Sequence, residues 1–376
     1  MTSLNELETP ALLLDVAKMD TNLARMRDRL RSLGVAARPH LKTAKSVDVA
    51  RRMLDADDSP CAVSTLKEAE QFAAAGYTDI LYAVGLAPNK FAHVQRLRRA
   101  GVKLSVVVDN LAAATRLAAH ARTAGDRIPV LIEVDSDGHR CGAKPASDEL
   151  LAIAAALAPH CDLRGVLTHA GASYACFDEA AKIAMAEQER AAAVASAQAL
   201  CAAGHAAPVV SVGSTPTASF ARSLEGVTEV RVGVYVFSDL VMAGLGVGSV
   251  DDIAISVLAS VIGHQADKGW IVVDAGWMAM SRDRGTASHA LDQGYGLVCD
   301  ANGKPFGDLV MLEANQEHGI LALRPGSSGT LPDLPVGTLV RILPNHACAT
   351  AAQHDRYRVI DPKSQVVAEW PRFSGW

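Results

Sequence analysis

The stretch "ARPHLKTAKS" (residues 37–46) ends the first of a series of predicted strands and carries a lysine, Lys42, at the strand end. Short apolar runs such as "DILYAV" (79–84) recur up to about residue 245, and Ala-, Leu- and Arg-rich segments with helical periodicity lie between them. Eight such β units are present when "VAARPHLK" (35–42) is counted as the first. Because parallel strands need crossover connections, eight units predict a closed (β/α)8 TIM-like barrel, with an open doubly wound sheet as the alternative.

The sequence pattern changes after about residue 250. Long helical patterns stop there, and strand-like runs such as "GWIVVDAG" (269–276) alternate with Gly, Pro and Asp turns. We therefore expect an α/β barrel over residues 10–245 and a C-terminal all-β domain over residues 250–376. Residues 1–9 are expected to pack with the β domain.

Composition excludes several classes of function. The chain has 376 residues, of which 49% are apolar, and its net charge is −5 without a long basic run, which argues against nucleic acid or a membrane surface as partner. The most apolar stretch, residues 150–158, is too short to cross a bilayer. Seven cysteines without a C-x-x-C pair, and a start that lacks the order of a secretory signal, predict a cytoplasmic location.

Lys42 lies at the end of a barrel strand where such folds place their active site, and Arg38 and His40 alternate with it along the same predicted strand. Most lysines are solvated surface charges. At a barrel mouth, however, partial desolvation and neighbouring cations such as Arg140 favour the neutral amine that forms a Schiff base. A lysine that pairs with a substrate phosphate is the third interpretation.

The segment "VGSTPT" (212–217) has a glycine followed by two hydroxyl residues just before a predicted helix. Such a segment is an ordinary turn with a helix cap, or it cradles an anion with backbone N–H groups. In barrels, phosphate often binds at the loops after the seventh and eighth strands, and the neighbouring Gly233 favours this reading. A lysine together with a phosphate cradle suggests pyridoxal phosphate (PLP).

The predicted β domain contains "LPNHACATA" (343–351), in which His346 and Cys348 are two residues apart. On a strand they would point the same way, and an imidazole beside a thiolate suits a cation such as Zn²⁺. A buried cysteine beside a chance histidine is the competing interpretation. Nearby, "WMAMSRDRGT" (277–286) supplies Arg282 and Arg284, which are either surface charges or bidentate ligands of a substrate carboxylate.

Nine motifs occur in order along nearly the whole chain, and in combination they resemble the D-threo-3-hydroxyaspartate dehydratases. These enzymes group with D-serine dehydratase and D-threonine aldolase among the alanine-racemase-like PLP enzymes of fold type III. The motifs are "ETPALLLD", "RPHLKT", "DSDGHRCG", "THAGASY", "VSVGSTPT", "VTEVRVGVYVF", "DAGWMAMSRDRGT", "ANQEHG" and "LPNHACAT".

The resemblance implies roles for individual residues. It implies that Lys42 carries PLP covalently and acts in catalysis. It implies that His346 and Cys348 hold a catalytic divalent metal, zinc in the D-serine dehydratases, with manganese or cobalt as alternatives. The other residues it implies for cofactor binding are Arg140, His169, Tyr174, Ser214, Thr215, Arg231, Gly233 and Tyr235, and those for the substrate are Arg282, Arg284 and Gln316.

The implied reaction is dehydration of a D-β-hydroxy amino acid: 3-hydroxyaspartate to oxaloacetate and ammonia, or serine to pyruvate. The second domain has no counterpart of the catalytic tyrosine of the racemases, and the H-x-C element is present instead. This difference points away from racemisation. Two alternatives stay open: an aldolase on the same scaffold, and a non-catalytic PLP-binding protein. The resemblance also implies a homodimer.

Overall fold

The computed structural model describes residues 2–56 and 58–376. The described chain forms two compact units. The barrel unit comprises Arg25–Gly233 with Gly375–Trp376, and the β unit comprises the residues up to Ala24 with Val234–Ser374. Each unit has a sheet of its own.

Helices and strands alternate in the barrel unit, and strands dominate the β unit. The helices are α1 (Val16–Ser32), α2 (Val47–Met53), α3 (Leu66–Ala74), α4 (Phe91–Arg99), α5 (Leu111–Ala124), α6 (Asp148–Leu157), α7 (Glu179–Ala202), α8 (Thr215–Phe220), α9 (Leu240–Gly244), α10 (Trp277–Met280) and α11 (Ala347–Ala351). The strands are β1 (Thr2–Ser3), β2 (Ala11–Asp15), β3 (Ala36–Ala37), β4 (Cys61–Val63), β5 (Asp79–Gly85), β6 (Lys103–Val108), β7 (Pro129–Glu133), β8 (Asp162–Leu167), β9 (Val209–Val212), β10 (Glu229–Val230), β11 (Ile255–Gln265), β12 (Trp270–Val273), β13 (Gly296–Cys299), β14 (Pro305–Ala314), β15 (Gly319–Leu323), β16 (Leu339–Pro344), β17 (Arg356–Ile360) and β18 (Gln365–Pro371). Within the described ranges, no helix combines the length and apolar character needed to span a membrane.

The barrel unit contains the eight-stranded parallel sheet that the sequence predicts. Its strand order is β3-β10-β9-β8-β7-β6-β5-β4, and an isolated parallel bridge between His40 and Ala62 joins the chain after β3 to β4. Apolar side chains from β4 to β8 pack together in a buried cluster. The closed barrel is therefore confirmed, and the open sheet does not form.

The first barrel strand is much shorter than predicted because it contains a proline. Beyond β3, the backbone N–H of Arg38 still donates to Val230 at the end of β10, and that of His40 donates to Val232 just after it. Pro39 has no N–H and offers only its carbonyl, which accepts from Ala62 (2.9 Å). The chain then turns at residues 41–44. Lys42 consequently lies in this turn, two residues past His40, and the prediction that it ends the strand is wrong.

The β unit is built on a ten-stranded sheet in which strands β11, β12, β15, β14, β13 and β16 form a closed ring, because β11 also pairs with β16. Strand β2 joins this sheet by pairing antiparallel with β11 and parallel with β17. The predicted division gave residues 10–245 to the barrel, whereas the pairing of Ala11–Asp15 places this strand in the β unit. Strand β1 also belongs here, since it pairs with β18.

Arg38 lies at the opposite end of the barrel from the position that the sequence suggested. Its guanidinium bonds Asp79 (2.7 Å) and Glu229 (2.8 Å), which are the first residues of β5 and β10. A cavity of about 330 Å³ at this end is lined by the first residue of each strand from β5 to β10. The Arg38 ion pairs therefore hold together the amino ends of the strands and take no part in a site at their carboxyl ends.

We predict that Arg38→Ala lowers the free energy of unfolding by about 3–5 kcal/mol, because it leaves the buried Glu229 carboxylate without its cation. Denaturant titration would measure the loss. Arg27→Ala is the matched control: Arg27 pairs with Asp55 at the surface (3.2 Å), and its loss should cost no more than about 1 kcal/mol. Equal effects of the two substitutions would contradict the structural role of Arg38.

Candidate active site

The turn that carries Lys42 is bound to the barrel through His40. The backbone N–H of Lys42 donates to Nδ1 of His40 (3.4 Å), and the Lys42 side chain is exposed. Burial, reinforced by the positive charges of Lys42 and Arg231, holds the pKa of His40 well below its usual range. His40 is therefore a neutral imidazole close to the Lys42 turn.

His169 follows β8 and is the second neutral imidazole in this region. Burial lowers the pKa of His169 to about 3, against the hydrogen bond to Gly213, and the charges of Lys42 and Arg140 act in the same direction as burial. Because a carbonyl oxygen only accepts, Nδ1 of His169 donates to Gly213 (2.8 Å) and Nε2 stays unprotonated. The structure thus brings Lys42 and His169 into one electrostatic neighbourhood.

Arg231 is a buried cation in the same neighbourhood. Its guanidinium donates to the Ser211 hydroxyl (2.5 Å) and to the Thr168 carbonyl (2.6 Å). Ser211 donates in turn to Glu229 (2.6 Å), the carboxylate that also binds Arg38. Arg231 is therefore fixed by a chain of hydrogen bonds that begins at the other end of the barrel.

The segment after β9 is both a helix cap and a tightly approached loop. Ser214 caps α8 and its hydroxyl lies 2.8 Å from that of Ser173. A Cβ on Gly213, whose φ is +143°, would lie 2.7 Å from the Arg231 carbonyl oxygen, so only glycine fits there. Thr215 Oγ1 is buried without a hydrogen-bond partner among the described residues, which leaves it available to a ligand.

Glu189, in the middle of α7, binds the segment after β9 through its carboxylate. One carboxylate oxygen accepts from the N–H groups of Ala170 (2.9 Å) and Gly213 (3.1 Å), and the other accepts from the Thr217 hydroxyl (2.6 Å). Burial raises the pKa of Glu189, against these hydrogen bonds. A single buried carboxylate thus ties together the loop of His169 and the loop of Ser214.

Of the four remaining predicted cofactor residues, three lie at the edges of this region of the barrel unit and the fourth belongs to the β unit. Arg140 is half exposed and bonds Glu133 (3.0 Å), and the ring of Tyr174 is tilted against that of His169 at 6.4 Å. A Cβ on Gly233 would lie 3.1 Å from the His40 carbonyl oxygen, so the chain after β10 closely approaches the Lys42 turn. Tyr235 is partly buried and belongs to the β unit.

His346 and Cys348 lie at the start of the short helix α11, not on a strand as predicted. Strand β16 ends at Pro344, His346 has extended backbone before the helix, and Cys348 is the second helical residue. The two side chains nevertheless meet in a hydrogen bond. No group of three or more His, Cys, Asp or Glu side chains arranged to hold a metal occurs in residues 2–56 and 58–376.

Asp283 bonds the His346 ring: its Oδ2 lies 2.7 Å from Nδ1. Burial lowers the pKa of His346, but the bonds to Asp283 and Cys348 outweigh it and raise the pKa well above its usual value. The hydrogen bond from His346 in turn lowers the pKa of Asp283. A divalent cation binds these two side chains only after the imidazolium and the thiol have released their protons.

The predicted substrate residues differ in the contacts that their side chains already make. Arg284 pairs with Asp292 (2.7 Å), and its guanidinium also lies over the ring of Tyr295. Arg282 is exposed, and its guanidinium lies 4.4 Å from the centre of the Trp277 ring. Gln316 is exposed in the turn between β14 and β15.

Sequence reasoning missed Glu189 and Asp283. Glu189 lies within "AEQERAAAV" (186–194), where the helical pattern gives no sign of a buried acid. Asp283 lies between two arginines, which makes a local ion pair the obvious interpretation. The bonds of both carboxylates to residues at least 19 positions away are visible only in the folded chain.

Two family models match the chain. The model described as "Alanine racemase, N-terminal domain" matches residues 14–240, and that described as "Putative serine dehydratase domain" matches residues 254–360. The D-threo-3-hydroxyaspartate dehydratase of Delftia sp. (strain HT23) is 53% identical over 375 residues, which cover 98% of each chain. The chain belongs to the D-threo-3-hydroxyaspartate dehydratase family. This confirms the resemblance and, with it, the alanine-racemase-like fold.

Structures and more distant relatives extend this family. A solved structure of the Delftia dehydratase matches with a TM-score of 0.96 at 53% identity and covers 100% of both chains. A cysteine-to-alanine mutant of that dehydratase has been solved in a metal-free form, with the same TM-score, identity and coverage. The D-serine dehydratase of Dictyostelium discoideum is 28% identical over 99% of this chain and 98% of its own. The 3-hydroxy-D-aspartate aldolase of Paracoccus denitrificans (strain Pd 1222) is 30% identical over 98% and 92%. The dehydratase family is PLP-dependent.

We predict that Glu189→Ala lowers the free energy of unfolding by about 2–6 kcal/mol, since it leaves two buried N–H donors unpaired at about 1–3 kcal/mol each. Glu187→Ala on the same helix is the control, because Glu187 is 55% exposed and its carboxylate bonds Arg190 at the surface. Its cost should stay below about 1 kcal/mol. Denaturant titrations that give equal losses would refute the role assigned to Glu189.

Proposed function

We propose that the chain is a PLP- and divalent-metal-dependent dehydratase of D-β-hydroxy amino acids. Its preferred substrate is D-threo-3-hydroxyaspartate, which it converts to oxaloacetate and ammonia, and D-serine is a second substrate that yields pyruvate. The observation that carries the proposal is the 53% identity to the Delftia dehydratase over nearly the whole of both chains. The fold of type III PLP enzymes and the site residues support it independently.

The barrel unit has the groups that PLP needs. Lys42 would hold the cofactor covalently, and Ser214, Thr215 and Gly233 would surround its phosphate. The unpartnered hydroxyl of Thr215 fits a hydrogen bond to an anion seated against the backbone. PLP, when bound, supplies an electron sink for the negative charge left on the substrate Cα. The ring-contact roles of Arg140, His169, Tyr174 and Arg231, and the phosphate role of Tyr235, are proposed on the resemblance.

In this proposal Lys42 moves the proton. The free Nζ of Lys42 would take the proton from the substrate Cα. The neutral state of His40 and His169 supports this assignment, since an imidazolium at either position would add positive charge next to the amine and make it a weaker base. The proton taken from Cα would then go to the departing β-hydroxyl, which leaves as water, and the enamine product tautomerises and is hydrolysed by a second water to the keto acid and ammonia.

The β unit would hold the metal through His346 and Cys348. The side chains of His346 and Cys348 already contact each other, and an imidazole with a thiolate forms a donor pair of the type zinc prefers, while two protein ligands leave positions open for substrate oxygen. A divalent cation, when bound, supplies Lewis acidity that helps the β-hydroxyl depart. We propose zinc, with manganese and cobalt as the alternatives.

Arg282 is the better of the two candidate carboxylate ligands. Arg284 is already paired with Asp292, whereas no salt bridge to Arg282 occurs in the described part of the chain. The Trp277 ring holds the Arg282 guanidinium in place by cation–π contact. We propose that Arg282 binds the extra carboxylate of 3-hydroxyaspartate, which serine lacks. The cytoplasmic location, the homodimer and the contact of Gln316 with substrate stay predictions.

Purified protein loaded with PLP and zinc is predicted to release equal amounts of ammonia and oxaloacetate from D-threo-3-hydroxyaspartate. Exhaustive chelation should abolish this release and zinc should restore it. Product analysis by keto-acid and amino-acid assays makes the check. Glycine and glyoxylate as the main products would show an aldolase instead, and no turnover of loaded protein would favour a non-catalytic PLP-binding protein.

The same assay tests the substrate assignment with Arg282→Gln. Loss of a charge-assisted hydrogen bond is worth about 1.5–3 kcal/mol, so kcat/KM for 3-hydroxyaspartate should fall about 10- to 100-fold. D-Serine turnover, which needs no second carboxylate site, should stay nearly unchanged. A parallel loss on both substrates would contradict the assignment of Arg282.

A further inference from the structure

We infer that Asp283 is a positioning residue for the metal site: its carboxylate holds the His346 imidazole so that Nε2 is the nitrogen available to the cation. The inference rests on the metal site proposed above. It concerns a residue that sequence reasoning did not single out and that contacts the imidazole directly.

The proton positions follow from the chemistry of the two groups. An ionised carboxylate is an acceptor only, so Nδ1 of His346 must carry the hydrogen of the 2.7 Å bond to Asp283 Oδ2. In the neutral imidazole the lone pair is then on Nε2. A carboxylate behind a metal-binding histidine fixes its tautomer and ring orientation and increases its basicity.

Asp283 is itself held at both ends. Its second carboxylate oxygen, Oδ1, accepts from the Gly285 N–H (2.8 Å). Its backbone carbonyl accepts from the side-chain amide of Asn345 (3.1 Å), which also donates to Gly294 (2.7 Å). Asn345 directly precedes His346, so the orienting carboxylate and the imidazole are bound to the same short stretch of chain. The amide is fixed in turn by the Thr286 hydroxyl (2.9 Å).

A second carboxylate fixes the backbone between the two proposed ligands. Asp239 is buried, and its Oδ2 accepts from the N–H of Ala347 (3.0 Å), the residue between His346 and Cys348. Its other oxygen accepts from the N–H of Met242 (2.9 Å). With the backbone held in this way, the bond from Asp283 also fixes the ring orientation of His346.

Cobalt binding to the metal-stripped full-length protein tests the inference without any assay of activity. Co²⁺ bound to a thiolate gives a charge-transfer absorbance, so a titration reports affinity at the proposed site, and Cys348→Ser identifies the band. Asp283→Ala is expected to weaken Co²⁺ binding about 10- to 100-fold. Asp283→Asn retains an acceptor oxygen without the charge, and a smaller loss is expected.

Asp267→Asn is the matched control, since Asp267 is an exposed carboxylate of the same unit, and it should bind Co²⁺ as the unsubstituted protein does. Unchanged affinity in both Asp283 variants would overturn the inference while leaving the metal site intact. So would loss of the band at saturating Co²⁺ in folded Asp283→Asn, because Asp283 would then be a ligand. If the unsubstituted protein gives no band, the proposed metal site itself fails. Circular dichroism verifies that each variant is folded. If Asp283→Ala is unfolded, the Co²⁺ affinity of Asp283→Asn decides whether the inference holds.

Discussion

The closure of the parallel sheet between His40 and Ala62 is the constraint on which the barrel site depends. Pro39 ends the regular pairing of the first strand, and the chain turns immediately after the closing bridge. The turn places Lys42 close enough to His40 and His169 for its charge, together with that of Arg231, to lower the pKa of both imidazoles in addition to the effect of burial. Sheet closure and the placement of the candidate cofactor lysine therefore depend on the same few residues.

Carboxylates connect the fold to the candidate sites in both units. In the barrel unit the buried Glu189 binds two loops from helix α7, and the buried Glu229 connects Arg231 to the ion pairs at the amino ends of the strands. In the β unit the partly buried Asp283 binds the imidazole of His346. Each carboxylate is satisfied by several donors, which is the condition under which a buried charge orders its surroundings instead of destabilising them.

Local sequence patterns predicted the fold well, because the alternation of strand and helix is a property of neighbouring residues. The eight barrel strands and most strands of the β unit follow from it. The patterns failed where distant pairing decides: Ala11–Asp15 joins the β sheet, and Arg38 faces the other end of the barrel. The H-x-C pair was assigned to a strand because the short helix after Pro344 has too few residues to show a period. Residue roles came from the resemblance, whereas Glu189 and Asp283 needed the folded chain.

The central claim is that the amine in the turn after the barrel closure is the one that binds the cofactor. Borohydride reduction of the PLP-loaded protein, followed by peptide mass spectrometry, tests it directly, because reduction makes the link between lysine and cofactor permanent. The account predicts a phosphopyridoxyl group on Lys42 alone. Lys45 is the internal comparison, since it lies three residues on and pairs with the buried Glu68 (3.3 Å). A label on Lys45 or another lysine, with residue 42 unmodified, would contradict the account.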